Sequence, residues 1–109
     1  MWLGLLNSQT GSPQTPNNME LDIRHRRHHL SVDVHWEGSD YANSYFIFVF
    51  PPLNNSDSIF TTTNTTFQLS ILYNEEYNIS VFASNCAGNS TPVIVSVFIG
   101  ENANMYNLA

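Results

Sequence analysis

The strongest constraint on this chain is a rhythm. From about residue 19 onward, short apolar runs alternate with polar clusters at intervals of roughly ten residues. Leu30, Val32, Val34 and Trp36 are separated by Ser31, Asp33 and His35. Tyr77, Ile79, Val81 and Ala83 are likewise separated by Asn78, Ser80, Phe82 and Ser84. A period of two places alternate side chains on opposite faces of a strand, so each run buries one face. Helical periodicity is almost absent. Such a chain folds as an all-β sandwich or barrel of short antiparallel strands.

The strands follow from the runs. Met19, Leu21 and Ile23 mark a weak first strand, and residues 30–36 the second. Gly38 and its polar neighbours turn the chain into a third strand over 44–50. Pro51 and Pro52 are expected to end that strand, because proline cannot donate to a ladder. A polar connection over 53–58 leads to a short edge strand over 59–63. Another strand over 66–71 points Phe67 and Leu69 inward. The sixth carries Tyr77 to the core, residues 85–92 form a loop, and 93–99 form the last strand. Residues 1–18, with Gly11, Pro13 and Pro16, read as a disordered lead or linker. Residues 19–100 then form one domain, and 101–109 a polar tail.

Two local patterns narrow the sandwich. One is Trp36 closing the second strand, where a large ring fills the space between sheets. The other runs through Ile71, Tyr77, Ile79, Val81, Ala83, Asn85, Gly88 and Pro92. Together with Tyr45 on the third strand, this resembles the fibronectin type III signature over residues 19–99. The resemblance implies an immunoglobulin-like β-sandwich of about seven antiparallel strands, with Trp36, Tyr45, Ile71, Tyr77 and Val81 in its core. It implies that Tyr77 makes a tyrosine corner, its hydroxyl bonded to upstream backbone. It also implies that Gly88 supplies a positive φ in the hairpin joining the last strands. The loop over 85–90, a common recognition loop in that family, carries no Arg-Gly-Asp here. The family usually has Leu where Ile71 stands and Pro where Tyr73 stands. Nor does it predict the run Arg24-His25-Arg26-Arg27-His28-His29.

Composition bounds the partners. Nine acidic residues stand against three basic ones, there is no lysine, and the net charge is −6. That balance disfavours nucleic acid, whose phosphates must be met by many cations, and it repels anionic membrane surfaces. Asn, Ser and Thr keep the surface wet instead. Four of the asparagines open an N-x-S/T glycosylation pattern: Asn54, Asn64, Asn78 and Asn89. With the low charge, they point to a secretory-pathway protein, extracellular or the ectodomain of a membrane protein. Cys86 is the single cysteine, so no internal disulfide forms. It is either an inert small residue at a loop edge or a thiol whose partner lies on another domain or chain. The apolar start, residues 1–6, is too short for a signal peptide, and no run approaches the roughly 18 apolar residues of a membrane helix. The expectation is a fragment, or one piece of a longer chain that carries its address elsewhere.

Two features invite function. The run over 24–29 holds every arginine and three of four histidines. It is either a solvated loop or a patch for sulfated glycans and other polyanions through Arg24, Arg26 and Arg27. Its histidines lack the spacing of a metal site, so no metal or cofactor is expected. The second feature is a consequence of alternation. With Tyr45, Ile47 and Val49 facing the core, Phe46, Phe48 and Phe50 face out, beside Phe82 on the sixth strand and Ile94 and Phe98 on the seventh. Phe46, Phe48, Phe82 and Phe98 therefore outline a candidate contact face, unless an edge strand or a glycan on Asn78 shields it. No phosphate-binding loop, Cys-x-x-Cys pair or His-Glu-x-x-His run supports catalysis. The expected function is a non-catalytic protein-binding or spacer module of an adhesion or receptor-type protein. The alternatives are a soluble polyanion-binding module and an incomplete fragment with no independent function.

Overall fold

A computed structural model describes residues 11–53 and 57–100. Among them are eight strands in two antiparallel sheets. The first sheet has the order β1-β2-β5, from β1 (Asn17–His25), β2 (Leu30–Glu37) and β5 (Thr66–Ile71). The second contains β3 (Ser44–Leu53), β4 (Asp57–Thr62), β6 (Glu76–Asn85), β7 (Gly88–Asn89) and β8 (Val93–Phe98). Within it, β3 lies between β4 and β6, and the far side of β6 pairs with β7 at one end and with β8 along the rest.

The inward positions of both sheets meet in one core. Leu30, Val32, Val34, Ile47, Val49, Ile79, Val81 and Ala83 are fully buried, and Trp36, Tyr45, Leu69, Ile71, Tyr77 and Val97 nearly so. Alternation on β2, β3 and β6 is the cause, since every second side chain of a strand faces the partner sheet. β-Branched and aromatic residues suit these positions because they pack well on a pleated surface. Trp36 meets Tyr45 edge to face across the sandwich, with ring centroids 5.4 Å apart and planes at 62°. The tyrosine hydroxyls are tied to backbone: Tyr77 accepts from Leu72 N–H at 3.3 Å and Tyr45 from Ser39 N–H at 2.9 Å. The tyrosine corner implied by the resemblance is therefore present.

Beyond shifts of one or two residues at strand ends, such as β4 starting at Asp57 inside the connection expected over 53–58 and β1 running on to His25, three boundaries differ from expectation. The prolines do not end β3, which continues through Pro51 and Pro52 to Leu53. Pairing with β6 stops at Phe50, and the register with β4 breaks between Phe48 and Leu53. The prolines thus stand where neither neighbour requires a ladder donor. At the other end, β1 begins at Asn17, within the stretch expected as lead, and Pro13 and Pro16 ahead of it are buried. Finally, the loop expected over 85–92 contains β7. Between β7 and β8 the ladder survives through one residue. Ser90 N–H donates to Ala83 O at 2.8 Å, and its Oγ accepts from Ala83 N–H at 2.9 Å. Pro92, which has no N–H, then separates the two strands.

Candidate contact face

The outer face of the five-stranded sheet is built by the phase of β3. Because Tyr45, Ile47 and Val49 are buried, Phe46, Phe48 and Phe50 must stand on the opposite face. Register then assigns their neighbours. Phe46 is flanked by Thr61 and Phe82, Phe48 by Ile59 and Ser80, and Phe50 by Asn78. On the next strand Ile94 lies opposite Ser80, Ser96 opposite Asn78, and Phe98 opposite Glu76. Along β3, β6 and β8 the outward positions carry a single charged residue, Glu76.

The residues expected on this face do not behave alike. Phe46 and Phe82 stack nearly parallel, with centroids 5.2 Å apart and planes at 10°, and each is half-buried by the other. Phe48 and Phe98 are exposed, at 40% and 57%, and they have open company in Phe50 (58%), Ile59 (54%) and Ile94 (61%). Five of the seven exposed large hydrophobic residues among those described thus lie on one sheet face; the other two, Tyr41 and Leu72, sit in loops. Isolated exposed apolar residues are ordinary, but a contiguous group of this kind is a feature of interaction surfaces. Ile59 is a member that sequence alone did not assign, because its face follows only from its register against Phe48.

The basic run forms the β1–β2 hairpin, closed by Arg26 N–H donating to His29 O at 2.9 Å. Its cations are not equivalent. Arg24 lies 3.6 Å from Asp33 and 3.9 Å from Asp22, whereas Arg26, Arg27 and His28 occupy the exposed turn. Tyr73 braces this turn. Its hydroxyl donates to Arg26 O at 3.1 Å and lies 3.2 Å from His25 Nδ1, and its ring stacks on His25 at 6.0 Å. Two departures from the family pattern, the Arg/His run and a tyrosine in place of proline, therefore meet in space. A hollow of about 630 Å³ opens beside them, with His28, His29 and Glu75 on its wall. Among the described residues no group of three or more His, Cys, Asp or Glu side chains is gathered to hold a metal ion.

At the opposite end, Asn85 organises the β6–β7 tip. Its Oδ1 accepts from Ala87 N–H at 2.8 Å and from Gly88 N–H at 3.1 Å. Its Nδ2 donates to Tyr41 O at 2.9 Å and to Gly11 O at 3.0 Å. Gly88 has the positive φ, 149°, that the hairpin was expected to need. A Cβ there would also meet Ser12 Oγ at 2.8 Å, so glycine serves conformation and close approach together. Cys86, exposed at the tip, is unpaired. Of the glycosylation patterns, Asn64, Asn78 and Asn89 are exposed, and Asn54 lies outside the described residues.

Two antiparallel sheets packed face to face, a tryptophan between them and a tyrosine corner define an immunoglobulin-like β-sandwich. Solved structures narrow this further. FN3tt is 20% identical with a TM-score of 0.65, covering 81% of this chain and 95% of its own. The titin kinase with its flanking domains matches at 16% identity and TM-score 0.62, covering 90% of this chain and 19% of that one. The twitchin kinase region from C. elegans matches at 20% identity and TM-score 0.60, covering 84% and 17%. The chain has the fibronectin type III fold. No family model and no curated protein matches the sequence. In titin and twitchin the matched part is a small share of a longer chain, which is how a module is used.

Proposed function

We propose that this chain is a non-catalytic protein-contact module of an adhesion or receptor-type protein at the cell surface or outside the cell, working through the outer face of the five-stranded sheet. The observation that carries the reading is the gathering of Phe48, Phe50, Ile59, Ile94 and Phe98 on that face. The extracellular setting is supported by three glycosylation patterns whose asparagines are all exposed. A non-catalytic role is supported by the scatter of reactive groups. Cys86 lies at the β6–β7 tip and His35 on β2 of the other sheet, so they do not form a nucleophile and base.

Phe48→Ser combined with Phe98→Ser tests the face. Both side chains are exposed, so unfolding free energy is expected to stay within about 0.5 kcal/mol of the parent. A photo-crosslinking residue placed at Ile94 is expected to capture a protein neighbour in the full-length polypeptide, and the double substitution to abolish that capture. Equal capture from Glu20, on the other sheet, would dispose of the face as the contact surface.

The exposed cationic turn favours a second, lesser role in binding polyanions. Arg26→Gln with Arg27→Gln is expected to bring elution from immobilised heparin forward to a lower salt concentration, by release of about two counterion contacts. Co-elution with the parent at pH 5.5 and 7.4 sinks this role.

A further inference from the structure

The geometry points to Asn78 as an N-glycan acceptor whose sugar lies across the apolar face and closes it to a protein partner. This rests on the contact-face reading above and supplies its regulation. Asn78 is on the central strand β6, in the middle of that face. Phe50 is directly opposite on β3, with Phe48 on the diagonal; Ser96 is directly opposite on β8, with Ile94 and Phe98 on its diagonals. Direct cross-strand neighbours have Cβ atoms about 5 Å apart and diagonal ones about 7–8 Å, within reach of a sugar attached at the centre. Four of the seven exposed large apolar side chains of the described residues therefore surround one glycosylation pattern, Asn78-Ile79-Ser80. Among the described residues, Asn64, in the β4–β5 turn, and Asn89, on β7, have no such surround.

The chemistry of a pyranose fits this ring of side chains. One face of the sugar is a patch of polarised C–H bonds, and these pack on the electron-rich faces of aromatic rings, while the hydroxyls of its edge stay in water. A glycan here covers Phe50, Phe48, Ile94 and Phe98 and exchanges an apolar surface for a hydrated one. Ser96 Oγ donates to Asn78 Oδ1 at 2.5 Å and leaves the amide nitrogen, the atom that is modified, outside that bond. In the transfer, the donor is a polyisoprenyl diphosphate oligosaccharide. A bond forms between Asn78 Nδ2 and the anomeric carbon, the bond from that carbon to the diphosphate oxygen breaks, and the diphosphate leaves with the electron pair. The amide nitrogen gives up one proton, and no electrons are exchanged with an oxidant or reductant.

The test directs the full chain into the secretory pathway of a eukaryotic cell and compares it with Ser80→Ala, which removes the acceptor pattern and keeps Asn78. Glycosidase treatment followed by peptide mass mapping is expected to find Asn78 occupied in the parent and in Ser80→Thr, and bare in S80A. The bare chain is expected to be retained longer on a hydrophobic-interaction column and to bind an apolar fluorescent dye several-fold more strongly. Asn64→Gln and Asn89→Gln are expected to leave both readouts unchanged. An unmodified Asn78, whatever the state of Asn64 and Asn89, overturns the proposal. So does an occupied Asn78 whose removal changes neither retention nor dye binding. Crosslinking from Ile94 in bacterially made, sugar-free chain separates the two readings. Sugar on Asn78 without crosslinks sinks only the protein partner, and crosslinks without sugar sink only the glycan.

Discussion

Trp36→Ala is expected to cost about 3–5 kcal/mol, the range for removing a large aromatic from a packed core. Domains of this kind hold a total of only about 5–15 kcal/mol, so the variant is expected to be largely unfolded well below the parent's transition. Trp36 is 5% exposed, closes β2 and packs edge to face on Tyr45, which in turn holds the following turn through Ser39 N–H. Loss of the indole therefore empties the sandwich at one end and unseats a second ring. Trp36→Phe separates packing from polarity. Among the described residues the buried indole Nε1 has no hydrogen-bond partner, and an unpaired buried donor costs about 1–3 kcal/mol. Phenylalanine loses volume but removes that penalty, so the expected cost falls to about 2 kcal/mol or less. Urea unfolding followed by far-UV circular dichroism measures both. A Phe variant as unstable as the Ala variant would show that the indole's full size, rather than an aromatic ring as such, holds the sheets apart.

Much of this architecture was legible because most strands bury one face only. Leu30, Val32, Val34 and Trp36, and Tyr77, Ile79, Val81 and Ala83, bury every second position, with only Ser31 buried and Phe82 apolar between them, and the same phase on β3 assigned Tyr45, Ile47 and Val49 inward. Once that phase was set, the outward aromatics followed. That Phe46 and Phe82 would spend their exposure on each other did not follow, because spacing along a strand says nothing of the rotamers two neighbouring rings adopt. Ile59 was illegible for a related reason: an edge strand with polar flanks takes its phase from its partner. The prolines misled because the rule concerns ladder donors, and where the ladder lapses is a property of the pairing rather than of the dipeptide. Least legible were contacts closed by the fold itself. Tyr73 meets Arg26, and Asn85 meets Gly11, across long stretches of chain, and no local pattern relates them.

That last contact carries the second large effect. Asn85→Ala removes four hydrogen bonds at once, two accepted within the β6–β7 tip and two donated to Tyr41 O and Gly11 O. At about 0.5–1.5 kcal/mol each, with imperfect additivity, the expected loss is about 2–4 kcal/mol. The consequence is more than local, because the segment before β1 is held at this point. Pro13 and Pro16 are buried, Thr15 shares a 2.6 Å hydrogen bond with Thr91, and Ser12 sits where only a glycine at position 88 leaves room. Asn85→Asp divides the two halves of the role. A carboxylate still accepts from Ala87 and Gly88 but cannot donate, and its charge faces the carbonyl oxygens of Gly11 and Tyr41. The Asp variant is expected to keep slow amide exchange at Ala87 and Gly88 while the segment over 11–16 becomes open to protease. The Ala variant is expected to lose both protections. If N85A unfolds within about 0.5 kcal/mol of the parent, the change is no larger than an ordinary surface substitution, and the side chain is a bystander to the tip. If instead both variants release the segment and only one loosens the tip, a single amide is what joins the entry of the chain to the end of its sixth strand.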